Sequence, residues 1–139
     1  MSRVAVQPPS GFEPYGRVER RGGSIDLFAR AEPATLWVHP RGFIGPSLLR
    51  AELERAAAFG ADQPAGWDYV VDTSEVRFVH PLNPLWLRRI RSLPNLGRYL
   101  VVAPALSVRI GLRAAGWIVR PDAIVARADD LPVDEFRRS

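Results

Sequence analysis

The chain contains no cysteine. That absence removes disulfides, thiolate nucleophiles and zinc-thiolate sites together, and it fits a reducing compartment. Lysine is missing as well, so all 19 basic residues are arginine. Only two histidines occur, His39 and His80, and neither has a second histidine or a cysteine at ligand spacing. A metal site would have to rest on carboxylates alone, so no metal and no cofactor is expected. No apolar run approaches the roughly 20 residues that span a bilayer. The first 16 residues carry Pro8, Pro9 and Pro14 and lack the apolar stretch of a secretory signal, so a cytoplasmic protein is expected.

What is present suits one globular domain. A chain of 139 residues is a single domain's worth, and at this size roughly two-thirds of the unfolded surface can be buried without help from a metal or a disulfide. Hydrophobic residues at 47% and charged residues at 24% are ordinary for such a domain. The net charge of +4 comes from arginines spread between Arg3 and Arg138 and interleaved with acids. A nucleic-acid partner needs its positive charge clustered on one face among aromatics. The scattered pattern reads instead as a solvated mixed surface, and the codon usage of a GC-rich genome accounts for the arginine bias.

Residues 1–16 are crowded with proline and glycine and show no periodicity, which predicts a flexible arm. Residues 17–21 are extended in pattern, and Gly22-Gly23 can turn the chain. Residues 25–30 read as a strand. After a break at Glu32-Pro33, residues 35–39 (Thr-Leu-Trp-Val-His) read as another, ending at Pro40. The period then changes. Pro46 suits a first helical turn, Leu49, Leu53, Ala56 and Ala57 follow at helical spacing, and Gly60 is a stop. Residues 67–71 and 99–103 are continuously apolar and β-rich, the pattern of strands buried on both faces. Between them Asn83 and Pro84 form a cap and first-turn pair, predicting a helix to about Ser92. Its core side is Trp86, Ile90 and Leu93, and its wet side Arg88, Arg89 and Arg91. Ser107 starts a third helix that ends at Gly116, residues 123–126 form a last strand, and 132–139 are a short tail. The fold class that follows is α/β: a single mixed sheet, with antiparallel strands first and then three helix–strand units.

Catalytic motifs are scarce. There is no Gly-x-Ser-x-Gly elbow, and Gly42-Phe43-Ile44-Gly45 is too sparse for a phosphate-cradling loop. Asp72 is the best single carboxylate, because it ends a buried strand, where α/β proteins place their sites. The plainer reading is a turn residue that accepts the following backbone N–H. Asp72, Ser74 and His80 could be grouped as a hydrolytic set, although no spacing supports that geometry. His80 precedes Pro81 at the start of the expected Asn83 helix, a position that disfavours its proton.

Residues 69–76, Tyr-Val-Val-Asp-Thr-Ser-Glu-Val, resemble the central strand of the STAS family, the sulfate-transporter and anti-sigma-factor-antagonist domain. Phe78-Val79 resembles the apolar pair before that family's phosphorylation loop. Residues 98–103, 108–116 and 122–125 resemble its next strand, helix and last strand, so the likeness spans about 17–131. In signalling members the loop reads aspartate, serine, serine or threonine, glycine. Here the matching positions are His80, Pro81, Leu82 and Asn83, and Pro81 stands where the phosphorylated serine falls. The resemblance therefore implies a non-catalytic regulatory module that binds a protein partner, an anti-sigma-type kinase or another regulator, without the serine switch. Its contact residues are His80, Pro81, Leu82, Asn83, Trp86, Arg88, Arg89 and Arg91. A carrier for an apolar small molecule or lipid, in the manner of Sec14-like domains, is the alternative, and a hydrolase using Asp72 a third. Homo-oligomerisation is left open.

Overall fold

The computed structural model describes residues 9–79, 88–105, 109 and 121–127. Its opening is an antiparallel meander of β1 (Glu13–Arg20), β2 (Gly23–Ala31) and β3 (Ala34–Ile44). The first turn is tight because Arg20 already pairs with Gly23, and Gly22 takes the positive φ of 86° that this requires. Glu32 and Pro33, joined by a cis peptide bond, make the second turn between Ala31 and Ala34.

Helix α1 (Pro46–Ala61) then crosses over the sheet, as its apolar spacing predicts. Pro46 occupies the first turn, and Leu48, Leu49, Leu53, Ala56 and Phe59 are buried. Arg50 and Glu54 lie on the wet side as an i,i+4 pair. The chain returns as β4 (Trp67–Asp72), parallel to β3, and continues into β5 (Glu75–Val79). After residues 80–95 it enters β6 (Leu96–Val102), parallel to β4, and later β7 (Ala123–Val125), parallel to β6. The sheet runs β1-β2-β3-β4-β6-β7, with β5 also on β3. The mixed sheet expected from the sequence is present. Both continuously apolar runs are interior strands, and Tyr69, Val70, Leu100 and Val101 are fully buried or nearly so.

The strands β4 and β5 share one edge of β3. β4 pairs with the segment from Thr35 to Val38, and β5 with that from Arg41 to Ile44. Together they make one strand interrupted at Thr73 and Ser74. This explains why β3 does not end at Pro40, where the sequence places its stop. Pro40 pairs with Ile25 of β2 on one edge and faces the interruption on the other, a place where a strand tolerates a missing N–H.

Two apolar layers cover the sheet. On the α1 face Val18, Ile25, Leu27, Leu36, Val38, Tyr69, Tyr99 and Val101 pack against the helix. On the opposite face Phe12, Phe28, Trp37, Val70, Leu100 and Val102 form a second cluster. Phe12 is only 6% exposed, and β1 starts at Glu13, so the ordered fold begins before Arg17, where the sequence reading starts it. Of the helix expected from Asn83, the described part is a 3₁₀ turn over Arg88–Ser92. The helix expected from Ser107 falls, Arg109 apart, outside the described residues, as do positions 132–139. No described helix is long and apolar enough to cross a membrane.

Candidate functional site

Strand alternation builds a charged row on the sheet face opposite α1. His39 follows Trp37 by two residues, and Asp72 follows Val70 by two, so both point to the face that carries Trp37 and Val70. The register pairs Val38 with Val71, which brings His39 level with Asp72 across the sheet. On its other side His39 pairs with Asp26 of β2, and Asp26 in turn with Arg17 of β1. Arg17 donates to Asp26 Oδ1 at 2.6 Å, and Asp26 Oδ2 is buried with no hydrogen-bond partner among the described residues. Charges therefore alternate in sign along the row from β1 to β4.

His39 is the centre of this arrangement, at 9% exposure. Its Nε2 lies 2.7 Å from Glu75 Oε2, and its Nδ1 lies 3.5 Å from Asp72 Oδ2. The same Glu75 oxygen accepts a hydrogen bond from Arg41 Nε. Asp72 Oδ1 accepts the backbone N–H of Ser74 at 2.9 Å, which closes the turn between β4 and β5. Thr73 fastens that turn to β6 by donating its N–H and its hydroxyl to the Val102 carbonyl.

These contacts set the protonation states. Burial pulls the His39 pKa down, but its hydrogen bonds to Asp72 and Glu75 outweigh burial and hold it above the ordinary value. Burial pushes Asp72 up, and the bonds from His39 and Ser74 more than reverse it, leaving its pKa lowered. The bond from His39 is the main reason that Glu75 is lowered, with Arg41 adding to it against a smaller burial effect.

Chemically the described residues form an ion-pair cluster. Among the described residues no hydroxyl hydrogen-bonds to His39, which any Ser–His mechanism requires. The carboxylates flank the ring at opposite nitrogens, and no described group of His, Cys, Asp or Glu could hold a metal ion. Asp72 thus plays the turn role and, in addition, binds a histidine that the sequence reading did not connect with it. His80, the histidine grouped with Asp72 and Ser74 from the sequence, lies outside the described residues. The usable signal was the parity of Thr35 to His39 against Trp67 to Asp72 in parallel strands.

Of the contact residues expected from the resemblance, His80, Pro81, Leu82, Asn83 and Trp86 lie outside the described residues. Arg88 and Arg89 are exposed on the 3₁₀ turn, while Ile90 between them and Arg91 is fully buried. Arg91 instead turns to the fold: it donates to Asp122 Oδ2 at 2.8 Å, and that same oxygen takes the Tyr99 backbone N–H at 2.7 Å. An open groove of about 650 Å³ runs between β1 and α1, lined by Arg17, Arg20, Arg50, Arg55 and two glutamates among others. Its lining is charged, unlike the enclosed apolar cavity that a lipid carrier needs.

No protein-family model matches the chain, and no curated protein matches it in sequence. Its architecture is similar to the crystal structure of an anti-sigma factor antagonist from Mycobacterium paratuberculosis. The TM-score is 0.54 at 20% sequence identity, with 90% of this chain and 94% of that chain covered. The likeness is one of fold: a mixed α/β domain of matching extent.

Proposed function

We propose that this chain is a non-catalytic regulatory module that binds a protein partner, in the manner of a divergent anti-sigma factor antagonist. The observation that carries the reading is the fold likeness to such an antagonist over nearly the whole of both chains. The sequence adds the place. By the sequence resemblance, residues 80–83 correspond to the family's partner-contacting loop, and Arg88 and Arg89 follow on an exposed turn. Arginine is enriched where interfaces concentrate their energy, and prolines at 81 and 84 lower the ordering penalty of binding. With Pro81 at the serine position, binding is constitutive with respect to a kinase acting there. An anti-sigma-type kinase or a related regulator is the partner class.

The test is affinity capture from the source cell with the natural chain and with an Arg88→Glu/Arg89→Glu variant, followed by identification of what is retained. Capture of a regulator by the natural chain, and its loss in a variant whose thermal melt is unchanged, is the expected result. Equal capture by both proteins, or co-purification of a lipid in place of a protein, refutes it.

A further inference from the structure

Among the described residues, the joint between β4 and β5 interrupts the strand that pairs with β3, and His39 stands opposite the break. The last β3–β4 pair is Val38 with Val71, and the first β3–β5 pair is Arg41 with Glu75. His39 and Pro40 bridge the gap. At that point β5 is held by its ladder to β3 and by the Glu75 carboxylate, which meets His39 and Arg41.

A neutral imidazole has one N–H and one bare lone pair, whereas imidazolium has two N–H groups. Here each ring nitrogen faces a carboxylate oxygen, Asp72 at Nδ1 and Glu75 at Nε2. Only the doubly protonated ring can donate to both. Loss of one proton sets a nitrogen lone pair against a carboxylate in a buried site, which is repulsive. Among the described residues, the charged neighbours point the same way or are neutralised. From β2, Asp26 faces His39 with one oxygen on Arg17 and the other without a partner among the described residues. From β4 comes Asp72, and from β5 Glu75. From its own strand Arg41 reaches the ring's neighbourhood through Glu75.

We propose that His39 is a protonation-operated latch: as imidazolium it clamps the start of β5 to the middle of β3 and the end of β4, and on losing a proton it releases that clamp. β5 precedes residues 80–83 in the chain. Any consequence for partner binding rests on the binding reading above; the latch itself does not. His39 acts here as a positioning residue through Glu75. The latch contributes fully below the ordinary histidine value near 6.5, and its contribution is lost as pH rises through the raised value in the fold.

Two-dimensional NMR of the full chain between pH 5.5 and 8.5 tests this. His39 ring shifts give its titration, and hydrogen exchange gives protection factors for β5 amides, with β6 amides as the internal control. The expected result is a titration midpoint above 6.5 and a fall in β5 protection over the same interval, by about tenfold for each unit of raised pKa, with β6 unchanged. In His39→Gln the step vanishes. Should that variant fail to fold, Glu75→Gln, altered at a half-exposed side chain, is the second instrument and loses the step as well. Constant β5 protection across the His39 titration overturns the latch, and so does a step that survives in either variant. Constant protection with Arg88-dependent capture intact removes the latch alone, whereas a clear step with Arg88-independent capture removes the binding surface and leaves the latch.

Discussion

Tyr69 of β4 donates its phenolic hydrogen bond to the carboxyl group of Glu52, inside the core between sheet and helix. Glu52 is 3% exposed, on the inner face of α1 among Leu48, Leu49, Leu53 and Ala56. Burial pushes its pKa up to about 8. The ring of Tyr99 lies 5.6 Å from that of Tyr69, and burial, with Glu52 nearby, pushes the Tyr99 hydroxyl up as well. A carboxyl that stays protonated at neutral pH is the state this site selects.

The first prediction is a stability that falls with rising pH through the neutral range. The unfolded chain ionises Glu52 above its ordinary value of 4.5, but the folded chain holds its proton until about 8. Glu52 therefore contributes fully below 4.5 and loses that contribution as pH rises through 8. The whole window is worth roughly 5 kcal/mol at 1.36 kcal/mol per unit. In Glu52→Gln the amide oxygen still accepts from Tyr69, and no charge needs burying. One amide N–H left without a partner takes back about 1–3 kcal/mol. Urea unfolding at pH 5 and pH 8 will show the variant flatter across the range and more stable than the natural chain at pH 8. Parallel pH profiles for the two proteins would rule out a buried neutral carboxyl.

Glu52 also shows where sequence reading stops. Helix α1 is legible because Pro46, Leu49, Leu53 and Ala56 repeat at helical spacing, and the interior strands because residues 67–71 and 99–103 are apolar without interruption. Hydrophobic periodicity carries no information about a carboxylate seated on the apolar stripe, whose acceptability depends on Tyr69 reaching across from another strand. The His39 cluster failed to register for a related reason. Asp72 could be singled out as a strand end, but its partner is set by parallel register with β3, a long-range relation that no local spacing encodes. Pro40 misled in the opposite sense. As a local stop signal it marks a strand end, yet a break in the neighbouring strand lets β3 run past it.

A second prediction concerns the N-terminus. Phe12 packs edge-on against Trp37 with ring centroids 5.8 Å apart, and the Arg30 guanidinium lies 4.9 Å from its ring centre. Glu13 and Pro14 pair with Ala29 and Phe28 of β2. Deleting residues 1–8 is expected to leave the melting temperature within a few degrees, whereas deleting 1–16 removes Phe12 and half of an edge strand. Phe12→Ala alone is expected to lower stability by roughly 3 kcal/mol. Equal melting temperatures for the two truncations would show that the second apolar cluster does not depend on Phe12.

Gly60 offers a sharp test of packing at the end of α1. A methyl group there would lie 2.4 Å from the Pro94 carbonyl oxygen and 2.6 Å from Trp67 Nε1. Those two atoms are already joined by the Trp67 N–H donating to Pro94 at 2.7 Å, and Asn95 donates to the Gly60 carbonyl. In an ordinary helix Gly→Ala stabilises by about 1 kcal/mol. Here the sign reverses: Gly60→Ala will destabilise by roughly 1–3 kcal/mol, because backbone and an indole must both move. Chemical denaturation decides it, and a variant as stable as the natural chain would mean that the helix end has room to shift.

The last prediction separates the arginines of the 3₁₀ turn, which the sequence groups on one wet face. Arg91 donates to Asp122, whose carboxylate also receives the Tyr99 N–H and whose own backbone N–H donates to the Tyr99 carbonyl at 2.7 Å. Burial tends to raise the Asp122 pKa, and the bonds from Tyr99 and Arg91 lower it overall. Asp122 thus joins the 3₁₀ turn to β6, immediately before β7. Both charged groups are about a third exposed or more, so solvent screening limits their attraction to roughly 1 kcal/mol. Arg91→Glu replaces that attraction with repulsion beside a carboxylate that cannot move away without giving up its backbone bond. The melting temperature is expected to drop by several degrees for about 1–2 kcal/mol. Arg88→Glu, at an exposed position on the same turn, is expected to shift it by no more than a degree or two. Comparing the two melts with their partner capture then assigns the roles. If Arg88→Glu impairs capture at unchanged stability, Arg88 belongs to the binding face, while loss of capture in Arg91→Glu alone, in step with its lower melt, would mean that the turn matters for its shape and that the partner contacts the chain elsewhere.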